Sequence, residues 1–256
     1  MNILTAKDKT VKISYDNKYH SVIIPTKNKK YTVCVSCQIG CPIGCTFCYA
    51  GTFKQNLTSQ QIITQVKDAK THIGTTPTSV VFMGIGEPLT NFSQVQQAVE
   101  QIHQQFHIPY NKITVSTSGM HIHKLAQLPC QGAFSLHTPF EDERKKLIPL
   151  TPPLSKILTF IQTYCQGKKH GIMIEYTLID GVNDTEKHLQ GILDLELPKN
   201  VHINLIERNP KKSFQKSKNM QLFKDTFIQN GYKCFIRQSR GEDIQAACGM
   251  LDYDNS

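Results

Sequence analysis

The clearest chemical signal lies in the stretch CVSCQIGCPIGCTFC, which holds five of the nine cysteines between Cys34 and Cys48. Three of the five have the spacing Cys-x3-Cys-x2-Cys, namely Cys41, Cys45 and Cys48. Three thiolates on one loop can bind three irons of a [4Fe–4S] cluster. The fourth iron is then open to an amino-acid tail such as that of S-adenosylmethionine (SAM). The spacing therefore predicts a redox centre that cleaves SAM, with the protein positioning the reactants.

Two other interpretations of the cysteines stay open on spacing alone. The cysteine pairs in CVSC and CTFC could together form a zinc site, although the gap between them is shorter than in most structural zinc sites. The thiols could also be inert packing side chains. Against both, Phe47 precedes the last cysteine, as an aromatic residue does in the radical-SAM signature. The segment GIGEP, which begins at Gly84, also resembles the turn that holds the methionine amine in radical-SAM enzymes.

Strand-like and helix-like segments alternate from about residue 20 onward, with helices predicted at 59–73, where Ser59 is the expected cap, and at 154–165. This alternation predicts parallel βα units. The strand segments are nearly continuous apolar runs, as in strands covered on both faces. We expect an α/β fold, a partial (β/α)6 open barrel of the radical-SAM type, with a doubly wound sheet as the alternative. In both folds the chemistry collects at the carboxyl ends of the strands, where the cysteine loop and the segments GIGEP, STSG, SLH and ERNP lie.

We expect residues 1–256 to form one radical-SAM domain, with a core over about 20–240 and a C-terminal catalytic loop over about 239–250. The sequence contains neither a secretory signal pattern nor an apolar run of about 18 residues, so we predict a cytoplasmic protein that does not cross a membrane. In a reducing compartment, clustered cysteines favour metal or redox chemistry.

The charge balance indicates a polyanionic partner. Lys and Arg total 29 against 20 Asp and Glu, a formal net charge of +9, and nucleic acid is the first candidate for such a partner. Short basic groups, among them Arg144 with Lys145 and Lys146, are each expected to be a solvated face.

Six segments in order narrow the resemblance to one family: CVSCQIGCPIGCTFC, FMGIGEPLTN, ITVSTSGM, FSLHTP, INLIERNP and RGEDIQAACG. They resemble segments of the RNA adenine methyltransferases that modify the C2 or C8 carbon of adenosine, the RlmN/Cfr family. The similarity covers roughly residues 20–250. RGEDIQAACG is its most specific part, because general radical-SAM proteins lack it.

The resemblance assigns a role to each matched residue. The cluster ligands are Cys41, Cys45 and Cys48, and the two catalytic cysteines are Cys248 and Cys34. The positions that match SAM contacts are Gly86, Glu87, Ser116, Ser135, Leu136, His137 and Asn209.

The family chemistry explains why two further cysteines are needed. The C2 and C8 carbons of adenine are not nucleophiles at neutral pH, so Cys248 first accepts a methyl group from one SAM. A second SAM supplies the radical that activates this methyl group, and the activated carbon adds to the ring. Cys34 takes the ring proton and forms a disulfide with Cys248 that releases the product. The resemblance thus implies a [4Fe–4S] cluster, two SAM per turnover and an adenosine in rRNA or tRNA that leaves its stack, with C2 favoured over C8.

Three departures from the family pattern bear on this expectation. The sequence resembles a short form without the N-terminal accessory domain, which helps hold RNA in other members. His20 stands near the position at which the family carries an acidic residue. We expect its side chain to be packed in the core or exposed at the surface rather than to transfer protons. Cys37 replaces a serine, and we expect it to pack.

Partner and substrate predictions complete the interpretation. We predict a monomer that takes electrons from a donor such as flavodoxin or ferredoxin. The alternatives are the same two-cysteine chemistry on a non-rRNA or small-molecule substrate and, less favoured, a non-catalytic Fe–S or zinc RNA-binding module.

Overall fold

A mixed sheet of ten strands forms the centre of the computed structural model, which describes residues 1–16, 18–207 and 215–251. The strands in chain order are β1 (Asn2–Thr5), β2 (Val11–Tyr15), β3 (Tyr19–Thr26), β4 (Lys30–Cys34), β5 (Gln38–Ile39), β6 (Gln55–Asn56), β7 (Ser79–Phe82), β8 (Ile113–Thr117), β9 (Gln131–Ser135), β10 (Met173–Leu178), β11 (His202–Glu207) and β12 (Lys233–Arg237). The sheet has the order β1-β2-β3-β4-β7-β8-β9-β10-β11-β12, and β5 pairs with β6 separately.

Strand β4 and strands β7 to β12 run parallel. Their connections contain the helices α1 (Ser59–Ile73), α2 (Phe92–Phe106), α3 (Glu141–Leu147), α4 (Leu154–Cys165), α5 (Glu186–Leu193) and α6 (Met220–Gln229). A 3₁₀ helix at Ile122–Gln127 takes the place of an α-helix after β8. The strand order is linear within the described parts of the chain, so the sheet is open. The predicted partial (β/α)6 barrel is therefore confirmed, with β12 added as a seventh parallel strand.

Helix α1 shows how local sequence sets an element boundary. The capping residue is Thr58 rather than Ser59, which is the first helical residue. The Thr58 Oγ1 accepts from the N–H of Gln61, and the Gln61 side chain accepts from the N–H of Thr58, which forms a capping box. Gly74 ends the helix with a φ of 71°, a conformation that costs glycine little.

The first 26 residues form three antiparallel strands that extend the sheet beyond β4, an arrangement that the sequence analysis did not predict. The signal was present in VKISY, where Val11, Ile13 and Tyr15 alternate with polar residues, as in a strand with one apolar face. These three side chains join the main core. On the opposite face, the Lys12 ammonium donates to the carbonyl of Gln245 near the C-terminus.

The concave face of the parallel sheet carries polar side chains in register. Ser135, Glu175 and Asn204 are aligned across β9, β10 and β11, and their neighbours Ile174 and Ile203 belong to the main core. Residues that alternate along a strand point to opposite faces. The concave face is therefore where polar chemistry is possible. In the described segments, the helices are all too short or too polar to traverse a bilayer.

Candidate active site

A cavity at the carboxyl ends of the parallel strands collects most of the site residues predicted from the sequence. The predicted residues that line it are Cys41, Cys45, Cys48, Gly86, Glu87, Ser116, Ser135, His137 and Cys248. The first cavity, as we call it, has about 1030 Å³ of space including its open mouth. A concave site with several convergent polar groups is where a cofactor or another small molecule typically binds.

The loop after β4 brings the three predicted cluster cysteines to this cavity by turning at two glycines. Gly40 and Gly44 have φ values of 68° and 69°, which favour glycine. A Cβ atom on Gly40 would lie 1.9 Å from the backbone oxygen of Thr52. The N–H of Cys48 donates to the carbonyl of Cys45 (3.1 Å) and closes a tight turn. The three thiols are partly exposed and line the same cavity.

The chemistry of these thiols fits an iron–sulfur cluster. Burial raises the pKa of the Cys41 thiol to about 12 and raises the pKa of Cys45 well above its ordinary value. Such thiols become thiolates when a metal compensates the charge. The structure does not bring together the four cysteines of the alternative zinc site, because Cys34 lines a different cavity and Cys37 packs in the core. Within the described ranges, no group of three or more His, Cys, Asp or Glu side chains is placed to hold one metal ion.

Glu87 offers the first cavity a carboxylate that the backbone holds in place. Its Oε2 accepts from the N–H of Ser118 (2.8 Å) and its Oε1 from the N–H of Leu89 (3.3 Å). Burial raises the pKa of Glu87 despite these bonds, so a cationic ligand such as an ammonium would offset the cost of its charge. The preceding Gly86 has a φ of 113°, and a Cβ there would lie 2.7 Å from the Cβ of Gln38.

The other predicted SAM contacts lie on neighbouring strand ends, with one exception. The Ser116 hydroxyl donates to Oε2 of Glu175 (2.9 Å), and Ser135 lines the cavity beside it. Leu136 instead packs into the main core with 1% of its surface exposed. Asn209 lies outside the described residues.

His137 is held as a neutral imidazole of defined orientation. The N–H of Thr177 donates to its Nδ1 (2.9 Å), and Asn183 Nδ2 donates to its carbonyl (2.7 Å). Because Nδ1 accepts, the proton of the neutral ring is on Nε2. Burial, together with the charge of Arg144, lowers the pKa of His137 to about 3. The ring meets Phe47 of the cysteine loop edge-on, with centroids 4.9 Å apart.

A second cavity adjoins the first, and Cys248 lines both. Cys34 lines the second cavity at the end of β4, and Arg237 at the end of β12 lines it with Cys34. The Cys248 thiol is exposed, whereas Cys34 is 5% exposed and packs against Ala246 and Leu251 of the C-terminal segment. The structure thus brings the two predicted catalytic cysteines to the second cavity, and Cys248 also lines the first.

Two contacts hold the C-terminal segment that carries Cys248. On one side, the Asp8 carboxylate accepts from the N–H of Gly241 (3.1 Å). On the other side, the N–H of Tyr49 in the cysteine loop donates to the carbonyl of Gly249 (2.8 Å). The first strands of the chain and the cysteine loop together position Cys248.

Arg144 is a site residue that the sequence analysis missed, and its assignment to a solvated face is wrong. Its side chain is fully buried, and its guanidinium donates to the carbonyls of Ser118 (2.5 Å), Ser135 (2.8 Å) and Leu136. It also stacks over the Phe134 ring at 4.8 Å. Burial lowers the pKa of Arg144 to about 10, so it stays charged at neutral pH. A single sequence shows no sign that one arginine of a basic run points inward.

The two residues that depart from the family pattern are both packed. Cys37 is 2% exposed, and its Sγ would lie 2.9 Å from a Cβ on Gly86. His20 is 4% exposed, and its Nδ1 shares a hydrogen bond with the Ser14 hydroxyl (2.9 Å). For Cys37, packing is the position that we expected. For His20, packing is one of the two positions that we expected, the other being exposure at the surface.

We predict that Arg144→Met lowers the free energy of unfolding by at least about 3 kcal/mol, because three buried carbonyls lose a charged donor. Urea unfolding of the metal-free protein measures the change. Lys145→Met is the matched control, since its side chain is 59% exposed, and we expect a change within about 0.5 kcal/mol. Equal effects of the two substitutions would contradict the bracing role of Arg144.

The low pKa of His137 makes stability depend on pH with a defined sign. Its pKa of about 3 in the folded state lies below the ordinary 6.5, so the unfolded chain binds the extra proton and stability falls as pH drops below about 6.5. Between pH 7 and pH 5 we expect the wild type to lose about 2 kcal/mol more than His137→Asn, whose amide oxygen can still accept from Thr177. Urea unfolding at both pH values measures this difference.

His107→Asn is the control for that comparison, because His107 also has a positive φ, 54°, and its side chain is exposed. Asparagine tolerates this backbone conformation at both sites. We expect His107→Asn to keep the pH dependence of the wild type. A His137→Asn protein with an unchanged pH slope would show that His137 titrates normally in the fold.

Comparisons with known proteins agree with the geometry. Residues 35–192 match the Radical SAM superfamily. A protein of Thermosynechococcus vestitus named probable dual-specificity RNA methyltransferase RlmN is 37% identical, over 96% of this chain and 77% of its own length. The RlmN protein of Halorhodospira halophila, named a dual-specificity RNA methyltransferase, is 35% identical over 94% of this chain and 71% of its own length.

Solved structures show the same relation. A radical SAM methyltransferase from Sphaerobacter thermophilus superposes with a TM-score of 0.88 at 33% identity, over 98% of this chain and 80% of that one. A structure of TYW1 with a lysine-pyruvate adduct bound shares the fold, with a TM-score of 0.60 at 15% identity, over 89% of this chain and 90% of that one. The chain belongs to the radical SAM superfamily and, within it, to the RlmN family.

Proposed function

We propose that this protein methylates the C2 carbon of an adenosine in RNA through a methyl group carried on Cys248. One observation carries the proposal: Cys248 lines both cavities, one of which holds the three cluster cysteines and the other Cys34. A residue that receives a methyl group at one site and delivers it at another needs access to both. Its exposed thiol meets that requirement.

The cofactors are a [4Fe–4S] cluster and SAM, as in the superfamily. We assign the cluster to Cys41, Cys45 and Cys48, and the methionine part of SAM to the first cavity at Gly86 and Glu87. When bound, cluster and SAM supply the 5′-deoxyadenosyl radical for hydrogen abstraction. The Glu87 carboxylate binds the methionine ammonium, which offsets the cost of its own burial.

Further polar contacts to SAM come from neighbouring strand ends. Ser116 and Ser135 offer hydroxyls, and His137 offers its Nε2–H, since Nδ1 accepts from Thr177. Leu136 is assigned by resemblance alone, because its side chain is in the core and its N–H and carbonyl are bonded to Glu175, Thr138 and Arg144. Asn209 is assigned by resemblance alone.

Cys248 starts the reaction as a thiolate that attacks the methyl carbon of one SAM. The new S–C bond forms as the bond from that carbon to the sulfonium breaks, and S-adenosylhomocysteine leaves. This displacement puts the methyl group on a sulfur, from which it can be activated without a nucleophilic ring carbon. After activation and addition to the adenine ring, the protein and the RNA are joined through Cys248.

Cys34 completes the reaction. Its thiolate takes the ring proton, so that a C–H bond breaks and an S–H bond forms. The unpaired electron of the adduct would return to the oxidised cluster, which restores the aromatic ring. The Cys34 sulfur then bonds to the Cys248 sulfur while the S–C bond to the product breaks. The product carbon keeps that electron pair and takes the proton. The resulting disulfide must be reduced by a dithiol or an electron donor before the next turnover.

RNA as the substrate is supported by the names of the related proteins and by the net charge of +9. The target adenosine has to leave its stack to reach Cys248. We further propose a monomer of one domain, located in the cytoplasm, that receives electrons from a flavodoxin or ferredoxin.

We predict that methyl-labelled SAM transfers label to Cys248 in a single turnover without RNA. Cys248→Ala should carry no label, because the accepting sulfur is gone. Cys34→Ala should accept the label and, once RNA is added, stay covalently joined to it, because the releasing thiol is missing. Mass spectrometry of the protein and a denaturing gel of the RNA measure these outcomes.

Cys37→Ala is the matched control for this experiment, since Cys37 lies in the same stretch but packs in the core. It should take up label and release methylated RNA as the wild type does. Label on a residue other than Cys248 would overturn the proposed mechanism.

The position of methylation has its own test. In rRNA and tRNA from a strain without the gene, we expect loss of 2-methyladenosine and no change in 8-methyladenosine, because C2 is the proposed target. Nucleoside mass spectrometry before and after complementation measures both. Loss of 8-methyladenosine would overturn the C2 assignment, and unchanged amounts of both would favour a substrate outside RNA.

A further inference from the structure

Arg237 is a cation at the second cavity that lies outside the six motif segments. It is the last residue of β12, and its side chain is 26% exposed. Its Nη1 lies 3.8 Å from Oε1 of Glu175 and 3.4 Å from Sδ of Met83. The guanidinium is therefore partly buried, and it contacts protein groups at the second cavity.

Glu175 is a fixed anchor for this guanidinium. Its side chain is 5% exposed, and its carboxylate accepts from the Ser116 hydroxyl (2.9 Å) and from Asn204 Nδ2 (3.5 Å). Bonds to both carboxylate oxygens restrict its rotation. A buried carboxylate with a cationic partner is far less costly than one without, so Arg237 and Glu175 hold each other in place.

Arg237 also lies beside Cys34. Both line the second cavity together with Met83 and Cys248. Met83 contacts both residues, because its backbone hydrogen-bonds to the Cys34 thiol and its Sδ contacts the Arg237 guanidinium. Among the described residues, the groups that act most on Cys34 are Arg237 from β12, Glu175 from β10 and Cys248 from the C-terminal segment. The same cavity is also lined by Lys27, Glu207 and Arg240.

The proposed role of Cys34 requires help with its charge. The pKa of the Cys34 thiol is raised to about 12, chiefly by burial and to a lesser extent by Cys248 and Glu175, whereas Arg237 and the backbone of Met83 lower it. In turn, although burial lowers the pKa of Arg237, the neighbouring Cys248, Glu175 and Cys34 raise it above its ordinary value. The guanidinium therefore stays charged in every state of the two thiols.

We propose that Arg237 is a positioning residue that stabilises the thiolate of Cys34, with Glu175 holding the guanidinium in place. The thiol releases its proton to water in the second cavity, and the thiolate then takes the proton of the adenine ring, so that one C–H bond breaks and one S–H bond forms. This inference rests on the proposed function. It adds to that function the group, Arg237, that allows the buried thiol of Cys34 to act as a base.

The test is the pH dependence of alkylation of Cys34 by iodoacetamide in the cluster-loaded enzyme without SAM or RNA. Only the thiolate reacts, so the rate reports the thiolate fraction. Fragmentation of the tryptic peptide Tyr31–Lys54 separates Cys34 from the other four cysteines of that peptide. We expect Arg237→Met to slow alkylation of Cys34 at pH 8 about tenfold or more and to move the pH profile up by about one unit or more.

Arg237→Lys is the charge-conserving control and should stay within about threefold of the wild type, since one pKa unit is a factor of ten in thiolate. Arg240→Met removes a charge from the same cavity at a side chain that is 42% exposed and lies 3.9 Å from Asp8. It should leave the Cys34 profile unchanged. If Arg237→Met gives no soluble protein, Arg237→Gln carries the same comparison.

An unchanged Cys34 profile in the neutral Arg237 variant would overturn the proposal, as would an equal shift in Arg237→Lys or in Arg240→Met. A purely structural role would lower methylation equally at all pH values, whereas loss of thiolate is partly rescued as the pH rises. Failure of the proposed function is distinguishable, because the wild type would then fail to take up label on Cys248 whatever the Cys34 profile.

Discussion

The site depends on the backbone of one residue, Ser118, which is held between two buried charged side chains. Ser118, just beyond β8, donates its N–H to the Glu87 carboxylate and accepts at its carbonyl from the Arg144 guanidinium. Charge-assisted bonds are about twice as strong as neutral ones, and here they connect the ends of β7, β8 and β9. Arg144 extends the link to the carbonyls of Ser135 and Leu136. The polar floor of the first cavity is therefore rigid before any cofactor binds.

A second constraint is the distance along the chain between the cysteines. Cys248 reaches the cysteine loop because the C-terminal segment is held on two sides, by Asp8 at Gly241 and by Tyr49 at Gly249. The first strands, which look like a simple extension of the sheet, thus serve the site directly. The segment contributes backbone atoms at both points, and its side chains add further contacts, because Asp243 accepts from the N–H of Lys7 and Ala246 and Leu251 pack with Cys34.

The sequence predicts those structural elements that have a local or a repeated sequence signal. Helix α4 has the predicted bounds and α1 differs only in its capping residue, because an apolar period and a stop signal suffice to define a helix. Side-chain direction in short elements such as α3 and β12 has no such signal. Arg144 therefore appeared to be one of three surface cations, although its neighbour Lys145 is the exposed one. Arg237 was missed for the same reason, since its partner Glu175 is 62 residues away.

The five clustered sulfurs illustrate how backbone direction separates roles that spacing alone leaves joined. Cys34 is still in β4, where alternation turns it to the concave face while Val33 and Val35 enter the main core. Cys37 comes after the strand and also enters the core, where it leaves room only for glycine at position 86. The three later cysteines follow the turn at Gly40 and line the first cavity. One stretch of fifteen residues thus supplies three thiols to the first cavity and one buried thiol, that of Cys34, to the second, while Cys248 lines both.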